Sequence, residues 1–332
     1  MPGTDPLETM RLILGELPDL PFLAELPGRG PGADLTGRTA AMLAEMPAET
    51  TSRGWRLAGR PGRDLRHAQS LLARDLDALE EAAEGFSGVL KISAGGPWTM
   101  AATVELTRSQ EPVLADPGAV RDLTASLAEG VAAQLAGAVP SASGLNRVRA
   151  VEPADAESGL RTVLAAAGVP VLVHCCAPSV PLGMIRDAGA VAAGIDLGQL
   201  RPGEEDVLAA VVEAGLGIFA GAVPATPAPV PARAAAPAGR QDIAHSAQRR
   251  SGQQSLGTVA AVQVTELWRR MGWPMARPAG AAASLAASVA GQVVITPACG
   301  LAGAPLDYAA RALASCREAA QMLPEMTEEE SR

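Results

Sequence analysis

The chain has 332 residues, a formal net charge of −9 and 48% hydrophobic residues. That acidity argues against a general nucleic-acid or anionic-membrane surface, because both reward clustered positive charge, and the apolar content excludes a fibrous or wholly disordered polymer. No apolar run reaches transmembrane length and no basic segment leads into an apolar stretch at the amino end, so the expected location is the cytoplasm.

In chain order, T-D-P-L-E-T-M-R-L-I-L-G-E-L predicts a helix capped by Thr4 or Asp5, with Pro6 early and Gly15 near its end. Pro18 to Thr36 reads as a Pro- and Gly-rich loop and Gly37 to Glu45 as a short helix. His67, in the polar run R-D-L-R-H, reads as solvated. Leu71 to Glu84 has helical periodicity, and G-V-L-K-I-S, which holds the only lysine, Lys91, predicts a strand. The turn A-G-G-P-W-T-M then leads into an expected helix over Thr99 to Thr107. A glycine-rich turn between strand and helix can cradle an anion with backbone N–H groups, although this one lacks the P-loop lysine and the dinucleotide fingerprint. It marks a candidate substrate loop, with Trp98 as a wall and Glu105 as a second candidate contact.

Val120 to Ala138 predicts a helix, A-V-P-S-A-S-G-L-N a loop, and Ser158 to Ala167 another helix. Regular units follow: a strand Val169 to Val173, a helix Val180 to Ala188, a strand Ala190 to Leu197, a helix Glu204 to Ala214 and a strand Gly215 to Ala220. That alternation predicts right-handed βαβ units and a parallel sheet. Residues 223–257 are Pro- and Ala-rich and read as a flexible insertion, with His245 solvated just beyond its most biased part. Order resumes at Thr258 to Met271 and continues through a strand Gln292 to Thr296 and a helix Pro305 to Met322. The tail, 325–332, should fray. One domain over 1–332 accommodates all of this, since a single α/β barrel needs about 250 residues before insertions.

The chemistry gathers at strand ends. His174, Cys175 and Cys176 directly follow V-P-V-L-V, and Cys299 follows V-V-I-T-P-A, which places them at the carboxyl ends of buried strands, where α/β proteins hold their sites. Successive residues of a strand face opposite ways, so Cys176 shares a face with His174 and Cys175 belongs to the core. Four cysteines in a chain without an export signal point to metal binding or catalysis before disulfides. His174, Cys176 and Cys299 form a borderline-soft N/S donor set suited to zinc, with Asp196, ending the intervening strand, as a fourth ligand. The same spacing is open to a structural reading, in which the cysteines are small buried hydrophobes and Asp196 a helix cap. Cys316, among apolar neighbours, reads as structural.

The run H-C-C with a following acid-ended strand, together with T-P-A-C-G-L, resembles the zinc site of the cobalamin-independent methionine synthase family. The segments M-P-G-T-D-P-L-E, I-S-A-G-G-P-W-T-M-A-A-T-V-E and T-E-L-W-R-R-M-G-W are similar to short, single-barrel actinobacterial members. The resemblance implies a (β/α)8 TIM barrel and zinc held by His174, Cys176, Asp196 and Cys299. It also implies methyl transfer to the thiol of homocysteine from 5-methyltetrahydrofolate, or from a corrinoid donor carried on a corrinoid protein.

The chain departs from that family's pattern in three places. Where a G-V-Y-D-I-H-S-P-like strand is expected it has G-I-F-A-G-A-V-P, so Ala220 and Ala222 stand in place of an aspartate and a proton-donating histidine. A Q-x-D-E-P-like middle strand is missing, and Met1 falls where a first strand is already expected. The implied barrel is thus short of its first strand and one middle strand, and no catalytic residue is assigned. The alternatives are a non-catalytic or partner-dependent zinc-binding barrel, or alkyl transfer to another small thiol.

Overall fold

The computed structural model of the chain describes residues 1–134, 139–143, 151–228, 255–271 and 293–330. Helix α1, Pro6–Glu16, starts as its sequence dictates: the Asp5 carboxylate accepts from the Glu8 N–H at 2.9 Å and Pro6 occupies the first turn. Helix α2, Leu35–Met42, begins earlier than expected because Asp34 caps it through the Gly37 N–H at 2.7 Å. A hairpin of β1, Ala48–Thr51, and β2, Gly54–Leu57, follows. Its tight turn is closed by Gly54 at a φ of 137°, a backbone conformation open to glycine.

Helix α3, Arg63–Ala82, extends upstream through the Arg-rich segment, leaving His67 exposed while Leu65, Ala68, Leu71, Leu72 and Asp75 form its buried stripe. The Asp75 carboxylate pairs with Arg38 at 2.8 Å and Arg29 at 2.7 Å, tying α3 to α2 and to the loop before it. Strand β3, Lys91–Gly95, leads into α4, Pro97–Thr103. The expected helix stops there because Val104 and Glu105 form β4, which pairs with β2.

Helix α5, Pro117–Gln134, precedes β5, Val139–Ser143, and α6, Pro153–Ala166. The βαβ units then run β6, Leu172–Cys175; α7, Leu182–Asp187; β7, Ala192–Asp196; α8, Glu205–Glu213; β8, Gly217–Val223. After the insertion, most of which lies outside the described residues, come α9, Leu256–Arg270; β9, Val293–Pro297; and α10, Leu306–Glu330, whose backbone runs past the expected Met322 end.

Strands β3, β5, β6, β7, β8 and β9 form one six-stranded sheet, parallel throughout. The middle position expected to be vacant is therefore filled: β5, read as loop from its short Pro- and Ser-containing sequence, pairs with both β3 and β6. Beyond β3 the extended segment at Phe22 adds a parallel bridge, with the Leu23 N–H donating to the Lys91 carbonyl at 2.8 Å. Among the described residues no ladder joins β9 to the Phe22 segment, so the sheet is a curved parallel array whose backbone closure is not formed.

One face of the sheet meets the helices. Val173, Ala193, Ile195, Ile218 and Ala220 enter the main core there, and Cys175, which alternates with His174 along β6, is buried at 4% exposure. On the opposite, concave face, Leu172, Ala192 and Phe219 make a small cluster against Leu20 and Val294. The rest of that concavity is open space. Among the described residues no helix is long and apolar enough to cross a membrane.

Candidate metal centre

Strand β6 delivers His174 inward and Cys176 just past its end, and the turn after β9 delivers Cys299. One donor atom from each lies within 4.8 Å of the others, and the two sulfurs are 3.5 Å apart. The alternation that buries Cys175 at 4% exposure leaves His174 and Cys176 half-buried and Cys299 exposed at the mouth.

Two glycines make this convergence possible. Gly194 is the rung partner of His174, and a Cβ there would stand 2.9 Å from the imidazole Nδ1, so the bare backbone gives the ring its place. Gly221 lets the chain after β9 fold across β8: a Cβ would lie 2.7 Å from the Ala298 Cα and 2.5 Å from the Ile195 carbonyl oxygen. The Ala298 N–H then donates to the Val223 carbonyl at 2.8 Å, and the Tyr308 hydroxyl donates to the Pro224 carbonyl at 2.9 Å. Both contacts fix the turn that carries Cys299. Sequence reasoning missed these glycines, and their signal is a Gly inside an otherwise apolar strand.

The two sulfurs are in hydrogen-bond contact and shift each other in opposite directions. A hydrogen bond from Cys176, then one from His174, pulls the Cys299 thiol down to about 4, and the Gly300 backbone N–H adds to this. Cys176 is pushed far up, first by its hydrogen bond with Cys299 and then by burial. The centre is thus two cysteine sulfurs and an imidazole facing one point, a donor set that fits a soft divalent cation such as zinc.

The other expected site residues lie elsewhere. Asp196 ends β7, but its Oδ1 accepts from the Gly198 N–H at 2.8 Å as the cap of a short 3-10 turn, and it is not in the group of converging donors. Trp98 is buried between α4 and α6, its indole N–H donating to the Ala156 carbonyl at 2.9 Å, and is not part of the cavity wall. Glu105 pairs with Arg53 at 2.6 Å on the small sheet, likewise away from the cavity. The Gly95 N–H of the proposed anion cradle is taken by the Thr39 hydroxyl oxygen at 2.7 Å. Ala220 and Ala222 are buried at 0% and 8% exposure, so those two positions bring no ionisable group to the site.

A cavity of about 760 Å³ opens below the three donors, inside the concave face. Its wall includes His174 and Cys299 near the mouth, Phe219 from β8, and Glu25 and Lys91 from the opposite edge.

No family model and no curated protein matches the chain. Among solved structures, a B12-independent methionine synthase from Shewanella sp. W3-18-1, in complex with selenomethionine, is similar with a TM-score of 0.59. The likeness covers 97% of this chain and 88% of that one at 11% sequence identity. At that identity it is a likeness of fold alone: a mixed α/β architecture of parallel strands and helices, similar to that of the methionine synthase structure.

Proposed function

We propose that the chain is a zinc-dependent methyltransferase that methylates the thiol of homocysteine, with 5-methyltetrahydrofolate as the donor. The observation that carries this reading is the convergence of His174, Cys176 and Cys299 within 4.8 Å at the carboxyl end of the sheet. The fold likeness to a methionine synthase supports it. His174, Cys176 and Cys299 would hold the metal, with Asp196, at the end of the neighbouring strand, engaged in its own turn. Bound zinc lowers the pKa of a thiol that joins it, which supplies a nucleophile near neutral pH.

The protein's own residues define the rest. Two cysteine sulfurs would keep electron density on the centre, while an imidazole in place of a third thiolate would limit its negative charge. Leu172 and Phe219 give the cavity beneath the donors an apolar patch. In the reaction a sulfur–carbon bond forms as the nitrogen–carbon bond of the donor breaks, and the departing nitrogen takes a proton. Ala220 and Ala222 cannot give that proton, and the open mouth lets solvent supply it. The same two alanines favour the second reading, a zinc-binding barrel without catalysis. No observation in the fold or the site favours a corrinoid partner.

The deciding experiment incubates zinc-loaded protein with homocysteine and 5-methyltetrahydrofolate and follows methionine by mass spectrometry. Methionine formation that is lost in Cys299→Ser supports the transferase. Stoichiometric zinc without methionine formation from this donor selects the non-catalytic reading.

A further inference from the structure

Lys91 stands at the start of β3 on the inward face, and it is the only lysine in the chain. Its Nζ lies 5.4 Å from the Phe22 ring centroid and 5.8 Å from the Phe219 ring centroid, so the ammonium rests between two aromatic faces inside the cavity. Glu25 shares the cavity wall and interacts with Lys91 at a distance, but among the described residues no carboxylate forms an ion pair with it. Burial pushes the Lys91 ammonium down and the Glu25 carboxyl up. An amine in this position is therefore short of a counter-charge, and a desolvated cation without a partner costs free energy that a ligand anion can restore.

We propose that Lys91 is the specificity-determining residue of the cavity, anchoring the carboxylate of a small thiol whose sulfur reaches His174, Cys176 and Cys299. This names the substrate class and rests on the thiol reading above. The rungs of the sheet set the scale. His174 pairs with Gly194, and Gly194 with Phe219, so the backbones of His174 and of Phe219, whose ring lies near Lys91, are two strands apart, roughly 10 Å. A chain of three or four carbons between sulfur and carboxylate suits that span. A single cation balances a single negative charge. Arg317 and the Met1 ammonium also line the cavity, but Arg317 is paired with Glu16 and Met1 donates to the Glu25 carbonyl, so the charge left for a ligand is that of Lys91 and suits a carboxylate better than a phosphate dianion.

The test uses zinc-loaded, full-length protein and three probes: 4-mercaptobutanoate, 3-mercaptopropan-1-ol and butanoate. Because Lys91 is the only lysine, acetic anhydride footprinting read on its peptide reports directly on the wild-type cavity. The expected result is that 4-mercaptobutanoate protects Lys91 from acetylation and binds at least tenfold more tightly than 3-mercaptopropan-1-ol by calorimetry. Lys91→Met, which keeps the length and removes the charge, should erase that tenfold difference while leaving mercaptopropanol binding and zinc content unchanged. Equal affinity of the two thiols for the wild type, with no protection of Lys91, overturns the assignment while leaving thiol binding at the metal intact. Protection by butanoate, with no added affinity from either thiol, supports the Lys91 anchor and rejects the thiol reading. The footprint needs no variant, so a misfolded Lys91→Met protein would not decide the outcome.

Discussion

The sulfurs of Cys176 and Cys299 lie 3.5 Å apart although 123 residues separate them in the chain. One ends β6 and the other the turn after β9, with β7 and β8 between them in the sheet. Curvature brings them together, and the fold across Gly221 adds the last part of the approach. The contact shifts the two thiols in opposite directions, Cys299 down and Cys176 up.

Metal uptake should report that asymmetry. Ligand sulfurs must be deprotonated to bind, and Cys299 is already ionised at neutral pH while Cys176 is not. Zinc added to the apo protein near pH 7 should therefore release about one proton from the cysteine pair, where two ordinary thiols would release about two. Indicator titration in weak buffer measures it. Cys176→Ser should abolish most of the release, and both Cys176→Ser and Cys299→Ser should lose zinc on desalting. Retention of about one zinc per chain by both variants would remove the centre from the molecule.

Gly194→Ala should act through His174 alone. The added Cβ would sit 2.9 Å from Nδ1, closer than real Cβ contacts, so the imidazole must turn away from the sulfurs. Groups that orient a ligand histidine are worth about 10–100-fold in metal affinity, and a loss of that size is expected in competition with a chelating dye. Gly183→Ala, where the Cβ meets open space, is the matched control and should bind zinc as the wild type does.

Much of this was legible before any coordinates. The strands that hold the site are apolar runs bounded by turns, and β8 is buried along its whole length, as a strand covered on both faces must be. His174, Cys176 and Cys299 could be read because each directly follows such a run. Strand β5 could not, because V-P-S-A-S carries a Pro and two Ser, and its place is set by neighbours that pair on both sides. The β1–β2 hairpin was missed for a similar reason, its strands being short and half-polar. Trp98 and Glu105 were misplaced because a turn motif shows which residues lie near a strand end but not which way their helix faces. Trp98 turns toward α6, and Glu105 leaves the helix for β4.

The fold depends on one buried charge cluster. Asp75 is 1% exposed, Arg38 2%, and the carboxylate takes hydrogen bonds from both Arg38 and Arg29. Asp75→Leu leaves two guanidinium groups without a counter-charge at the contact of α2 and α3. A destabilisation of about 3–5 kcal/mol in urea unfolding is expected. Arg38→Met in the same protein should recover part of it, since removing a charge together with its partner is far cheaper than removing the partner alone. Additive losses in the double variant would show that the three side chains do not act as a unit.

Asp196 separates local structure from metal chemistry most sharply. It ends its strand beside the centre, as a ligand would, yet its Oδ1 is committed to the Gly198 N–H at 2.8 Å. Asp196→Ala should cost about 0.5–2 kcal/mol of stability, the range for a lost side-chain cap, and Asp196→Asn less, because an amide oxygen still accepts from Gly198. Both variants should keep zinc at wild-type stoichiometry, read by metal analysis after dialysis. If zinc is lost from Asp196→Ala while stability is unchanged, the carboxylate swings from Gly198 to the metal on loading, and the three-residue centre becomes a four-residue one. That outcome would also change how a substrate thiol enters. A three-residue centre leaves the fourth tetrahedral position open to the thiol, whereas a four-residue centre must release Asp196 or add a fifth ligand.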